Sequence, residues 1–155
     1  MLEALARGAF ERDVGRLDKR LVKRRRWTVV AADYPVLDVI FGHPSRAPLR
    51  LRITCDDWDD LPPSIELLTS DGAHIPTNRD PGLPHEYVFA GGGSIFNSGP
   101  HPSTGRPFIC MRGSREFHTH SSHCAEVWDN YRGRSGNDLL GLLDQLWRVW
   151  TRAAQ

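Results

Sequence analysis

Between His101 and Tyr131 the chain reads HPSTGRPFICMRGSREFHTHSSHCAEVWDNY, gathering four histidines, two cysteines, Glu116 and Glu126 between apolar anchors. Imidazole nitrogen, thiolate sulfur and carboxylate oxygen are the donors zinc takes, four in a closed structural site and three plus water in a catalytic one. The candidate ligands are Cys110, Glu116, His118, His120, His123 and Cys124. In an extended chain His118 and His120 share a side, and His123 and Cys124 follow within a short turn. The stretch has neither paired C-x-x-C half-sites nor a metallopeptidase H-E-x-x-H helix. A second chemistry open to the same residues is nucleophilic: a Cys110 thiolate stabilised by a nearby imidazole or by Arg112 and Arg115. The third reading is structural, with solvent-facing histidines and Cys110 as a small buried hydrophobe.

Whatever this stretch does, other elements must hold it in place. Leu2, Leu5, Ala9, Val14, Leu17 and Leu21 recur at helical spacing and predict one helix over roughly residues 2 to 24. That helix ends in the basic run KRLVKRRR, a solvated face or a docking surface for an acidic partner. Four β-prone runs follow, at 27–32, 36–41, 49–54 and 64–69, separated by turn-forming residues. They predict an antiparallel meander in which Leu49, Leu51 and Ile53 face the core and Arg50, Arg52 and Thr54 face water. Cys55, at the end of the third run, reads as structural, and Trp58 as either packed over the sheet edge, the favoured reading, or exposed for a partner. The aspartates around Trp58 lack calcium-loop spacing.

Residues 70–107 are rich in Gly and Pro and poor in periodicity, and connections of that length commonly hold a site or lack order. The glycines Gly91, Gly92 and Gly93 read as a flexible turn, because no Lys-Ser or Lys-Thr follows to complete a phosphate loop. Phe108, Ile109 and Met111 touch the core beside Cys110, and Val127, Trp128 and Tyr131 anchor the far end of the His-rich stretch. A last helix, capped by Asn137 or Asp138 and crowded with Leu139, Leu140, Leu142, Leu143, Leu146, Trp147 and Trp150, is expected to pack on the sheet.

At 155 residues the chain is long enough for one domain with a sizeable core. A formal charge of +1 gives no strong general field for nucleic acid or an anionic membrane. No apolar run has spanning length and the start lacks the order of a secretory signal, so a cytoplasmic protein without a membrane partner is expected. Three cysteines are too few for a disulfide scaffold and are expected to be reduced thiols.

The order of these elements resembles the ubiquitin-conjugating enzyme fold, an α+β architecture of N-terminal helix, four-stranded meander, irregular active-site segment and packed helix. LPPSIEL at 61–67 is similar to that family's proline-containing lead-in to its fourth strand. His101-Pro102-Ser103 followed by Phe108-Ile109-Cys110 resembles its His-Pro-Asn tripeptide and the cysteine beyond it. The resemblance implies a thioester on Cys110, places Trp128 as the family's tryptophan and assigns residues 139–149 to the helix after it. Ser103 stands where the family has asparagine, and the segment from Cys110 to Trp128 is longer than usual. The family's last two helices are expected to be absent.

That segment also resembles a small bacterial group of predicted metal-binding proteins named for a cysteine, a glutamate and two histidines, found beside ubiquitin-like modifiers and their activating enzymes. Cys110, Glu116 and His118 match, with His120 or His123 as the last histidine. The resemblance implies an atypical transfer component of a bacterial ubiquitin-like pathway, one used in antiviral defence. Its partners would be the modifier, its activating enzyme and a protein acceptor. Cys110 would carry the modifier, with His118 or His120 tuning the thiol or deprotonating the amine and Ser103, beside His101, stabilising the oxyanion. The alternative implied is a zinc-binding scaffold without carrier chemistry.

Overall fold

The computed structural model describes residues 2–87, 89 and 95–152. Helix α1, Glu3–Val14, and helix α2, Lys19–Arg24, precede a four-stranded antiparallel sheet in the order β1 (Trp27–Asp33), β2 (Val36–Phe41), β3 (Leu49–Thr54), β4 (Ser64–Leu68). A two-residue pairing of β5 (Phe96–Asn97) with β6 (Phe108–Ile109), the short helix α3 (Arg115–His118) and the long helix α4 (Leu139–Arg152) complete it. The α+β class and the meander agree with the sequence, strand by strand to within a residue. Gly91, Gly92, Gly93 and part of the apolar run at 86–90 lie outside the described residues. Among the described residues no helix is long and apolar enough to cross a membrane.

The single helix expected over residues 2–24 is instead two. Gly15 caps α1, and the Asp18 carboxylate opens α2 by accepting from the backbone N–H groups of Arg20 and Leu21. A good N-cap restarts a helix at modest cost, and the apolar spacing that continues through Leu17 and Leu21 hides the break from the sequence. Leu2 and Leu5, expected on the buried stripe, are exposed, while Ala6, Phe10 and Asp13 turn inward.

The sheet has one packed face. Cross-strand rows Leu37–Ile53–Ile65 and Val39–Leu51–Leu67 run through paired positions, as strict alternation requires. Against this face α4 sets Leu139, Leu142, Leu143, Leu146 and Trp150, an i, i+3, i+4, i+7, i+11 stripe that brings Trp150 to 5.8 Å from the Phe41 ring. Each of these buried side chains contributes roughly 1.5–3 kcal/mol of transfer free energy. Asp138 caps α4 by accepting from Gly141 N–H at 2.7 Å, and buried Asp13 of α1 accepts from Trp58 Nε1 at 3.0 Å and Leu139 N–H at 3.4 Å. Asp13 thus ties α1, the acidic turn after β3 and the start of α4 together. Cys55 and Trp58 are buried, as the sequence predicts. Val127, expected as an anchor, is exposed, and the anchoring at that point comes from buried Trp128, whose indole N–H donates to Asp59 O at 2.8 Å.

Candidate active site

Cys110 follows β6 directly. The Phe96–Ile109 pairing continues one residue further because Cys110 N–H donates to Ile95 O at 2.7 Å, so the thiol projects from a fixed backbone. Beyond it the chain turns at Gly113, whose φ of +97° belongs to the left-handed region that glycine tolerates best. A Cβ at Gly113 would stand 2.5 Å from a Leu142 methyl on α4, so the turn lies against that helix. Ser114, fully buried, then caps α3: its hydroxyl accepts from Phe117 N–H at 3.2 Å and donates back toward Ile109 O at 2.8 Å.

Two side chains bind this loop to the rest of the fold. The buried Glu116 carboxylate accepts from the Ser64 hydroxyl and from Ile65 N–H at 3.1 Å, which pins α3 to the start of β4. Burial pushes the Glu116 carboxyl above its ordinary pKa despite those bonds. Buried His101 donates from Nε2 to Glu116 O at 2.9 Å and accepts at Nδ1 from Ser103 N–H at 3.1 Å, an arrangement that fits the neutral ring. The His-Pro-Ser segment is thereby fastened to α3. Ser103 itself is exposed.

The histidines divide by what they touch. His118 uses both ring nitrogens, donating from Nδ1 to Glu126 O at 2.6 Å and accepting at Nε2 from Gly113 N–H at 3.2 Å. His120 accepts at Nδ1 from Ser122 N–H at 3.1 Å and stacks on Phe108. His123 stacks on Phe117 with ring centroids 4.0 Å apart and sets its Nε2 3.7 Å from Cys110 Sγ. Its Nδ1 lies 3.7 Å from Glu126 Oε1. Glu126 in turn accepts from Arg112 Nε at 2.7 Å and from the Tyr131 hydroxyl at 2.9 Å; these donors hold its carboxyl below the ordinary value. Exposed Cys124 donates from Sγ to Ser121 O at 3.0 Å.

Cys110 and His123 line a cleft of about 560 Å³ whose walls include Phe117, Arg112, Glu126 and Tyr131. Of the residues singled out for catalysis in the sequence, Cys110 lines this cleft, whereas His101, Ser103, His118 and His120 do not. The imidazole beside the thiol is that of His123, singled out in the sequence only as a metal ligand. The Glu126, Arg112 and Tyr131 group beside it has no motif of its own; the sequence offered Arg112 as a neighbour of the thiol and Tyr131 as an anchor, but not their meeting at Glu126. Half burial raises the Cys110 thiol above its ordinary pKa, so a base is needed to withdraw its proton. His123 Nε2 is the group in reach.

Of the metal-ligand candidates, Cys110 and His123 come within 3.7 Å of each other and the His120 ring lies 5.9 Å from that of His123, whereas Glu116 and His118 have other partners. Glu116 is turned to β4 and both His118 nitrogens are engaged. Among the described residues no group of three or more His, Cys, Asp and Glu side chains is placed to hold a metal ion. Compared with protein-family models and with curated proteins, the chain matches none.

Proposed function

We propose that this protein carries a ubiquitin-like modifier as a thioester on Cys110 and passes it to an amine. Cys110 Sγ attacks the modifier's C-terminal carbonyl carbon, which arrives as a thioester of the activating enzyme. The new S–C bond forms as the old one breaks, and the Cys110 proton goes by way of His123 to the departing thiolate. An acceptor amine then attacks the same carbon, the S–C bond breaks, and the amine proton returns the sulfur to a thiol. The observation that carries this reading is the half-buried Cys110 thiol, fixed at the end of β6 with an imidazole nitrogen 3.7 Å away in a cleft large enough for a peptide end. The order of helix, meander, irregular segment and helix supports it.

Incubation with the modifier, its activating enzyme and ATP should give an adduct that thiols cleave and that Cys110→Ala abolishes. An activating enzyme that loads its own cysteine with the modifier yet transfers none to this chain would overturn the proposal. A zinc-binding scaffold of the same pathway is the second reading, favoured by the pairing of Cys110 with His123, a thiol and an imidazole of the type zinc takes. It requires further donors to leave the partners they have here.

A further inference from the structure

A second cleft is formed where the end of α2, the turn after β2 and the last turns of α4 meet. Its volume is about 370 Å³, and its lining includes Arg24, Arg25, Arg26, Arg152, His43 and the Trp147 indole. The positive charge there is largely uncompensated. Arg25 lies over the Trp147 ring at 4.0 Å with Nη1 2.6 Å from Asp144 Oδ1, and Asp144 is shared with Arg148. Arg24, Arg26 and Arg152 are exposed and have no ion pair among the described residues. The buried Trp147 Nε1 also lacks an acceptor among them.

Part of this charge has an ordinary use, since cations near the ends of α2 and α4 offset the partial negative charge of helix C-termini. Lys23 and Arg24 lie in the last turn of α2, and Arg46 already donates to Trp150 O near the end of α4, so Arg26 and Arg152 stand beyond that use. Arg26 shows a further cost. Its φ of +56° is a helix-ending conformation that glycine or asparagine adopts more easily. Gly42 is pressed against it, donating to Arg26 O at 2.9 Å, where a Cβ would clash. The chain therefore keeps a guanidinium at a position whose backbone favours a smaller residue.

We propose that this cleft binds a phosphate-bearing small ligand, one with at least two anionic phosphoryl groups. Guanidinium forks match phosphate oxygens in pairs, and several around one concavity select a compact polyanion over a single carboxylate. The volume lies at the small end of ligand clefts, suited to a diphosphate or a nucleotide rather than an extended strand. The site does not involve Cys110 and is independent of the carrier reading.

Calorimetric titration of the full chain with pyrophosphate, ATP and citrate at about 150 mM salt tests it. Pyrophosphate and ATP should bind saturably at one site, at least about tenfold more tightly than citrate. The Arg24→Ala/Arg26→Ala double variant should weaken both at least about tenfold, whereas Arg20→Ala, on α2 but outside the lining, should leave them unchanged. Equal affinity for pyrophosphate and ATP would assign recognition to the phosphates, and tighter ATP binding would add a contact to the base. Citrate binding as well as pyrophosphate, affinity unchanged in the double variant, or no saturable binding would overturn the proposal. So would a short single-stranded RNA or polyglutamate binding tenfold more tightly than ATP, which would make the cleft a macromolecular docking surface.

Discussion

The Cys110 thiol is half-buried, and burial favours the form that carries its proton. In the proposed reaction that proton passes to His123 Nε2, 3.7 Å away. His123→Ala is expected to slow alkylation of Cys110 by iodoacetamide about tenfold or more at neutral pH, with mass spectrometry following the site. The loss should shrink as pH rises through the raised thiol pKa, because solvent then removes the proton unaided. A rate unchanged by the substitution would mean that the imidazole plays no part in activation. The residue types for this chemistry were legible in the sequence, but the pairing was not. His118, His120 and His123 are equivalent in a linear chain, and what separates them is three-dimensional: His118 is consumed by Gly113 and Glu126, His120 lies on Phe108, and Phe117 holds His123 toward the sulfur. Glu116 likewise has partners that the linear chain does not show, since Ser64 and Ile65 lie on β4, far earlier in the sequence.

At the scale of elements, the loop that carries Cys110 is held by α3 below and α4 behind. Glu116→Ala leaves Ile65 N–H and the Ser64 hydroxyl without their acceptor and should destabilise the fold by about 1–3 kcal/mol in urea unfolding, while Glu116→Gln keeps an acceptor and should cost less. The sign of the pH dependence follows from burial. Because the folded-state pKa of Glu116 is raised, its favourable contribution is full below the ordinary carboxyl pKa and is lost as pH rises through the folded value. Wild type should thus gain on Glu116→Gln between about pH 7.5 and about pH 5, and a gap that does not move would contradict the assignment. Gly113→Ala meets both a left-handed φ and the Leu142 methyl, and should lower the thermal midpoint by an amount equivalent to about 1–3 kcal/mol. The strands were the most legible elements, because alternation such as Leu49, Leu51 and Ile53 against Arg50, Arg52 and Thr54 is dictated locally. The break between α1 and α2 was not, because the helical apolar spacing runs on through Leu17 and Leu21 and overrode the stop and start signals of Gly15 and Asp18.

Over the whole molecule, α4 joins two clefts: Gln145 lines that of Cys110, and Trp147 and Arg152 line the basic one. The sheet and helix order could be read from periodicity, whereas the basic cleft could not, because it joins the run at residues 24–26 to Trp147, Thr151 and Arg152, more than a hundred positions later. The proposed function requires Cys110 to be a free nucleophile. Its most direct test is to measure metal content and Cys110 thiol reactivity together on one untagged preparation. One alkylatable Cys110 thiol per chain is expected, with a rate that chelator treatment leaves unchanged. Stoichiometric zinc, with Cys110 alkylated only after the metal is removed, would contradict it and make the cysteine a ligand.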